Sequence, residues 1–245
     1  MHEESAHYPP ATHHDPVEAL LPDLYWVHGS VEFRPGRCLS RNMAIVRRGR
    51  ELSLINAVRL SAAGEAQLAE LGEIKHVVRI GNFHAMDDRY YVDTHGAKLW
   101  CLPGRQARPE PAADELLAAD HMPFDRAALH VFAGANFPEC AIILEQDGGV
   151  LLTADSLQYW ADWSNCSEGM SAGAKQMGFS LAMLVGPPWL RGATPEGGSL
   201  EGDFRRLLGH DFEHMLGAHG GFYRGGAKEA VAAAIARAFP AGSSA

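Results

Sequence analysis

An uncharged apolar run that ends in a carboxylate is the feature that most limits how this chain can fold. Residues 149–152 (Gly-Val-Leu-Leu) lead through Thr153 and Ala154 to Asp155. Short apolar runs of this kind are typical of buried strands. A carboxylate at the exit of a buried strand rarely serves packing, so we expect Asp155 to lie at a sheet edge and to bind metal. The alternative interpretation makes Asp155 the N-cap of a helix over residues 156–160.

The first half of the chain carries signals for strands and helices in alternation. Arg48-Gly49-Arg50 lies between two apolar runs and predicts a hairpin. Ser61 suits the N-cap of a helix over residues 62–71, and strands are predicted at 76–80 and 97–101. A helical pattern then covers residues 111–119.

The second half repeats this order and sets the fold class. Asp147-Gly148 predicts another hairpin, which leads into the strand that carries Asp155. Residues 161–198 are predicted as irregular cover over a cleft, and residues 214–219 as a last strand before an Ala-rich helix. We therefore predict an α/β (α+β) fold: a four-layer αββα sandwich of two mixed β-sheets with helices outside. Residues 1–22, rich in His and Pro, predict a flexible arm, which leaves a single domain over residues 23–245.

The composition narrows the class of partner. A formal net charge of −9 without a Lys/Arg cluster argues against nucleic acid, and no apolar run approaches the roughly 20 residues of a membrane span. The four cysteines form no C-x-x-C motif, and Cys101 and Cys140 are predicted to be buried free thiols. We expect a cytoplasmic protein that binds a small-molecule substrate, and the sequence leaves its oligomeric state open.

Two further segments carry candidate metal ligands. His84 and Asp88 are four residues apart, which would place both on one face if this loop turns into a helix. A histidine with a carboxylate suits a divalent metal such as zinc, manganese or iron. The alternative is that Asp87 or Asp88 caps a helix. His219 precedes two glycines, which let a backbone approach a ligand closely, although a histidine at a strand end can also serve packing.

The order of these segments resembles the metallo-β-lactamase fold superfamily over about residues 24–239. The segments that carry the resemblance are residues 54–58, 68–78, 150–155 and 217–221. Asn82-Phe83-His84, together with residues 132–139, is most similar to a divergent branch of unassigned function. The resemblance implies a metallo-β-lactamase-like domain with a metal site at one rim of the sandwich.

Departures from the H-x-H-x-D-H motif of that superfamily imply a depleted site. If His84 is the first histidine, Met86 and Arg89 replace the other two and Asp88 keeps the aspartate. If His84 is the second, Asn82 replaces the first and Asp87 stands in place of the third.

Other positions extend this depletion. Asn56 stands where an Asp is usual, and residues 134–139 lack the expected middle histidine. The resemblance therefore carries over only to His84, Asp88 (or Asp87), Asp155 and His219. Glu139 or Asn136 could complete the set, whereas His130 is predicted to pack and His95 to lie in a turn.

These residues lead to one predicted function and two alternatives. The prediction is a metal-dependent hydrolase that cleaves a small ester, thioester, amide or phosphoester through a metal-activated water. Asp155 would bind the metal, for which zinc is expected before manganese or iron, and Asp87 would orient or deprotonate the water. Trp160, Trp163 and a Met-rich cover would line the cleft. The alternatives are a degenerate relative that binds a ligand or partner without metal or catalysis, and a mononuclear iron redox site.

Overall fold

The computed structural model describes residues 8–240, which form fourteen strands and six helices. The strands are β1 Glu18–Leu21, β2 Leu24–Arg34, β3 Arg37–Arg48, β4 Glu51–Ile55, β5 Glu73–Arg79, β6 Lys98–Cys101, β7 Glu115–Leu116, β8 Ala127–Val131, β9 Cys140–Leu144, β10 Val150–Leu152, β11 Leu157–Tyr159, β12 Met183–Val185, β13 His214–Leu216 and β14 Phe222–Arg224. The helices are α1 Ala62–Leu71, α2 Asp88–His95, α3 Glu168–Gln176, α4 Pro187–Ala193, α5 Glu201–Leu207 and α6 Ala227–Ala238.

Local sequence signals explain where several of these elements begin and end. The Ser61 side chain accepts a hydrogen bond from the Gly64 amide and caps α1, and Gly72 ends this helix, as predicted. The hairpin between β9 and β10 turns through Asp147 and Gly148, both at positive φ, a conformation that Asp-Gly pairs adopt readily. These local signals define the ends of α1 and the turn of the β9–β10 hairpin.

The strands form two large mixed sheets. One sheet has seven strands in the order β1 to β7, antiparallel up to β4 and parallel from β4 to β7. The other has five strands in the order β14-β13-β10-β9-β8, in which only β10 and β13 run parallel. Strands β11 and β12 form a separate antiparallel pair. The parallel pair β10–β13 matters for the site, because the carboxyl ends of both strands lie at the same sheet edge.

The alternation of side chains along the strands builds four layers. Alternate residues of both sheets, among them Val78 and Ile142, meet in one buried cluster between the sheets. The opposite face of the seven-stranded sheet packs against α1 and α2 through Leu68 and Tyr91. The opposite face of the five-stranded sheet packs against α4, α5 and α6 through residues such as Phe204. The predicted αββα sandwich of two mixed sheets is therefore confirmed.

The segment predicted as a flexible arm over residues 1–22 needs correction where the structure describes it. Residues 18–21 form β1 on the edge of the seven-stranded sheet, and Leu20 is buried in the core between the sheets. The Val17 amide also donates to Gln67 Oε1 at 3.0 Å. The apolar side chains of Ala19, Leu20 and Leu21 explain this docking, whereas residues 1–7 lie outside the described part.

The helix predicted over residues 111–119 is also wrong. Residues 115–116 form the short strand β7, and the Leu117 amide donates to the Cys101 carbonyl at 2.9 Å. Edge pairing with β6 satisfies these backbone groups, and it outweighs the weak helical pattern of a segment with prolines at 109 and 111.

Two predictions from composition can be compared with the structure. Cys101 and Cys140 are buried free thiols, as predicted. Across residues 8–240, no helix combines the length and the apolar character that crossing a membrane requires.

Candidate metal centre

Three residues with metal-binding side chains meet at one rim of the sandwich: His84, Asp155 and His219. Asp155 follows β10 and His219 follows β13, so the parallel pairing of these strands delivers both side chains to the same edge. His84 comes from the other sheet, in the loop between β5 and α2. The sequence named all three residues as candidate ligands, and the fold brings them together from three separate segments.

The donor atoms of these residues are close enough to share one ion. One ligand atom from each residue lies within 4.8 Å of the other two. Asp155 Oδ2 is 3.1 Å from His84 Nε2, and Asp155 Oδ1 is 3.2 Å from His219 Nε2. His84 and His219 are buried, and the Asp155 side chain is 15% exposed. The carboxylate thus lies between two imidazole rings.

The surrounding backbone fixes which nitrogen of His219 faces the carboxylate. His219 Nδ1 lies within hydrogen-bonding distance of the Ser40 carbonyl oxygen, which can only accept, so Nδ1 carries a proton. In the neutral ring, Nε2 then presents a lone pair toward Asp155 Oδ1. Two acceptors at 3.2 Å repel unless a proton or a cation lies between them. A histidine that binds a metal through one ring nitrogen usually donates a hydrogen bond from its other nitrogen, as His219 does here to the Ser40 carbonyl.

The electrostatics of the cluster also suit a cation. Burial lowers the pKa of His84, and the neighbouring Asp155 carboxylate offsets this only in part. Burial alone would raise the pKa of Asp155, but the neighbouring imidazole rings of His84 and His219 hold it well below its ordinary value. A neutral imidazole beside an ionised carboxylate is the protonation state that metal binding requires.

An unsatisfied atom supports the same fit. His84 Nε2 is buried and has no hydrogen-bond partner in the described residues, although Asp155 Oδ2 is only 3.1 Å away, because the angle does not suit a hydrogen bond. Leaving a buried polar atom unpaired costs roughly 1–3 kcal/mol. A divalent metal coordinated by His84, Asp155 and His219 would satisfy it, so the residues present fit such an ion.

Asp88 and Asp87, the other carboxylates proposed for the site, do not belong to this cluster. Helix α2 begins at Asp88, so His84 precedes the helix and the spacing of four residues does not bring the two together. Asp88 Oδ2 accepts from Arg79 Nε at 2.7 Å, and Asp87 Oδ2 accepts from Arg41 Nη1 at 2.9 Å. Asp88 therefore lies outside the group of three donors, with one carboxylate oxygen bonded to a buried guanidinium, and its role as a ligand stays a prediction.

The remaining candidates serve the framework. The exposed side chain of Asn136 donates hydrogen bonds to the Gly192 and Thr194 carbonyls and lies outside the cluster. His130 packs inside β8, as predicted, and His95 lies at the end of α2, where it pairs with Glu65 at 3.2 Å. No metal-binding group of three or more residues in the described chain includes any of them.

Glu139 is a neighbour of the site that braces the segment of Asp155. Its side chain is fully buried, and Oε1 accepts from the Ser156 amide at 2.6 Å. Burial, followed by the charge of Asp155, raises the pKa of Glu139 well above its ordinary value. Its other oxygen, Oε2, has no partner in the described residues. Glu139 therefore holds the backbone that follows Asp155 and lies outside the group of three ligands.

Gln158 also helps to hold Asp155 in place. Its amide donates to the Asp155 carbonyl at 3.3 Å, and its Oε1 accepts from Trp160 Nε1 at 3.0 Å. Residues 157–159 form strand β11, so the alternative in which Asp155 caps a helix is wrong. Sequence inspection missed Gln158 because a polar residue in an alternating strand carries no distinctive signal.

The positions that depart from the superfamily motif have structural roles of their own. Asn56, at positive φ, donates to the Thr153 carbonyl, and Asn82 Oδ1 accepts from the Ala107 amide at 2.8 Å. Arg89 is exposed and pairs with Asp93. Met86 lines the cleft beside the cluster. These side chains take no part in the group of three ligands.

The cluster opens into a cleft of about 420 Å³, within the range of roughly 300–1,000 Å³ that small-molecule sites occupy. Trp160, Met170 and Met177 line it, in agreement with the predicted cover, whereas Trp163 packs behind Trp160 with ring centroids 4.8 Å apart. The other apolar lining residues are Val31, Phe33, Leu39, Phe83, Met86, Ala174, Phe179, Pro188 and Trp189. Within residues 8–240, the charged, amide and imidazole side chains of the wall are Arg41, Gln158 and the three cluster residues.

Comparison with known proteins identifies the fold. No model of a protein family matches the sequence, and no curated protein matches it. Among solved structures, the metallo-β-lactamase FIM-1 from Pseudomonas aeruginosa in its mono-zinc form has a TM-score of 0.63 at 10% identity, over 94% of this chain and 98% of that chain. The DIM-1 metallo-β-lactamase has a TM-score of 0.63 at 9% identity, over 94% and 99%. A metallo-β-lactamase from Pontibacter korlensis has 0.59 at 11% identity, over 89% and 97%.

Proposed function

Because the chain has the metallo-β-lactamase fold, we propose that it is a metal-dependent hydrolase whose metal is held by His84, Asp155 and His219. The observation that carries the proposal is the convergence of these three donors, within 4.8 Å of one another, on an apolar cleft. Catalytic zinc sites typically use three protein ligands and structural sites four, so a set of three suits catalysis.

The bound metal would lower the pKa of a coordinated water and polarise the oxygen of the bond to be cleaved. The residues around the cluster orient the metal ligands. Ser40 fixes the tautomer of His219, and Gln158 together with the Glu139–Ser156 hydrogen bond holds the segment of Asp155. Both oxygens of Asp155 face histidines, which keeps its charge directed into the cluster.

The apolar wall contributes a further effect. Residues such as Trp160 and Trp189 exclude water from the space beside the cluster. Electrostatic interactions are stronger in such a medium of low dielectric, so charge that develops on the substrate is stabilised more effectively. Asp87, predicted as the residue that orients or deprotonates water, holds Arg41 instead and is given no step in this proposal.

Metal analysis combined with hydrolysis assays tests the proposal. Protein prepared without a polyhistidine tag is stripped with a chelator and reloaded with zinc, manganese or iron. We expect about one ion per chain and ester hydrolysis that requires it. His84→Ala and His219→Ala should abolish both, whereas His121→Ala, a change at an exposed histidine, should leave both unchanged.

A failure to bind any of the three metals would overturn the hydrolase proposal and favour a non-catalytic relative. Binding of one metal without hydrolysis of any ester, thioester or amide would support the metal site and overturn the proposed hydrolase activity.

The donor set also supports a second candidate. Two histidines and one carboxylate are the ligands of mononuclear iron(II) redox sites, and the cluster consists of these three side chains. Selective retention of iron(II) over zinc after reloading under anaerobic conditions, with no hydrolysis, would favour this candidate over the first.

A further inference from the structure

The chemistry of the cleft wall constrains what can bind beside the metal cluster. Helix α3 contributes Met170 and Ala174 to one wall, Met177 follows directly after this helix, and Phe83 and Trp189 belong to other segments. Phe83 and Met177 are 52% and 44% exposed, so large apolar side chains stay in contact with solvent around the cleft. Exposed apolar side chains that continue into an apolar cavity are typical of a ligand-binding site.

The arginine in the same wall already has a counterion. Arg41 is the only Lys or Arg side chain that lines the cleft within residues 8–240. It is 3% exposed, its Nη1 pairs with Asp87, and its Nη2 donates to the Ala57 carbonyl. Because its charge is paired with Asp87, Arg41 has no uncompensated charge to offer a carboxylate or a phosphate on the substrate, although its buried Nε has no hydrogen-bond partner in the described residues.

The remaining polar side chain of the wall is also committed. Gln158 donates to Asp155 and accepts from Trp160. A charged group on the part of the substrate that lies along this wall, away from the metal cluster, would lose its hydration without gaining a counterion, which is strongly unfavourable. The wall therefore selects against a charge on that part of the substrate.

We propose that the substrate is an uncharged carboxylic ester or thioester whose acyl group is apolar and lies along the wall that α3 forms. This inference rests on the proposed hydrolase function and narrows its substrate class by excluding substrates with a free carboxylate on the acyl group. In the reaction, the oxygen of water adds to the acyl carbon and the bond to the alcohol or thiol breaks. One proton of the water goes to the leaving group, and the carboxylic acid product releases the other.

The flexible side chains of this wall explain how it accommodates acyl groups of different shape. Methionine side chains are unbranched and adapt to irregular ligands. Met170 precedes Ala174 on α3, and Met177 follows it at the end of the helix. Ala174 is 2% exposed and lines the cleft, so a larger side chain there would reduce the space for the acyl group.

The first experiment measures binding without catalysis. N-phenyl-1-naphthylamine, an uncharged apolar probe, is titrated by fluorescence into metal-stripped and metal-loaded protein. We expect binding in both forms, and Ala174→Phe should weaken it by at least about tenfold. Ala172→Phe, on the exposed side of the same helix, is the matched control and should bind as the wild type does. Met177→Ser, at a half-exposed position that tolerates change, should also weaken binding if Ala174→Phe fails to fold.

The second experiment measures selectivity on metal-loaded protein. We expect kcat/KM for p-nitrophenyl octanoate to exceed that for the acetate by at least about tenfold. The p-nitrophenyl monoester of succinic acid, which carries a free carboxylate, should be the poorest substrate. Ala174→Phe should reduce the ratio of octanoate to acetate toward one, and Ala172→Phe should preserve it.

The two experiments separate the two proposals. If Ala174→Phe weakens probe binding but no ester is hydrolysed, the hydrolase function is overturned and the apolar specificity of the cleft is retained. Metal-dependent hydrolysis without preference for the octanoate, or with equal rates on the charged ester, would overturn this inference and leave the hydrolase function.

Discussion

Arg79 Nε donates to Asp88 Oδ2 at 2.7 Å, and both side chains are almost completely buried. The pair joins the end of β5 to the first residue of α2, and it accounts for a carboxylate that sequence inspection assigned to metal binding. A buried charge needs a counterion, and Arg79 and Asp88 each serve as the counterion of the other.

Asp88→Ala should therefore destabilise the protein without removing the metal. Breaking a buried ion pair costs about 3–5 kcal/mol, because the remaining guanidinium stays buried without a counterion. Chemical denaturation and metal analysis of the same preparation measure the two effects. Asp93→Ala, which removes an exposed pair with Arg89, is the control and should cost less than about 1 kcal/mol. Loss of metal from a folded Asp88→Ala protein would return Asp88 to the list of ligands.

Asp155→Ala should abolish the stabilisation that metal provides. The carboxylate lies 3.1 Å from His84 and 3.2 Å from His219, so its removal takes away the anionic ligand between two neutral rings. The measurement is the change in melting temperature when zinc, manganese or iron is added to stripped protein. A melting shift in the variant equal to that of the wild type would show that Asp155 does not bind the ion.

Gly220→Ala should weaken metal binding through the backbone of its neighbour His219. Gly220 has a φ of +75°, and a Cβ there would lie 2.1 Å from the Tyr159 carbonyl oxygen, so the loop would have to move. Gly225→Ala is a matched control, because Gly225 has the same φ but no atom within 4 Å of the added Cβ. Both variants should lose about 1 kcal/mol through backbone strain, and only Gly220→Ala should lower metal affinity in a calorimetric titration.

Stability should fall between pH 6.5 and pH 4 because of His130. Burial, together with the charges of His210 and Arg206, lowers the pKa of His130 from 6.5 to about 4, and Asp203 opposes this only in part. Below pH 6.5 the unfolded chain takes up a proton at this residue that the folded chain does not, so the free energy of unfolding decreases as the pH falls toward 4. The expected loss is on the order of 2 kcal/mol, less than the full linkage value because solvent screens part of the effect.

Denaturation of the wild type and of His130→Phe across this pH range measures that contribution. The variant cannot titrate at position 130, so its stability should decrease less steeply with falling pH than that of the wild type. Parallel curves for the two proteins would contradict the assignment to His130.

Much of the fold could be predicted from local signals. The cap at Ser61, the Asp147-Gly148 turn and the apolar run before Asp155 each act within a few residues, and the structure contains all three. His219 and His84 could be named because small residues and a loop after a buried strand mark places where side chains reach a rim. Residues 111–119 were mispredicted because edge pairing with β6 depends on a partner strand and not on local propensity.

The carboxylates Asp87 and Asp88 show where sequence inspection of the site fails. Their partners Arg41 and Arg79 lie 46 and 9 residues away, inside strands whose apolar pattern gives no sign that two arginines will be buried. Spacing along the chain cannot distinguish a carboxylate that binds metal from one that neutralises a guanidinium. Only the packing of β3 and β5 against the start of α2 decides between them.

The two adjacent arginine–aspartate pairs also restrict how the site can change by mutation. A single replacement of Asp87 by histidine would add a candidate ligand beside His84 but would leave Arg41 buried with its charge uncompensated. A further metal-binding position at this rim would therefore require at least two coordinated replacements, one at the carboxylate and one at the strand arginine. Stepwise laboratory evolution that selects each change separately should be blocked at the intermediate, whereas a paired library should reach it.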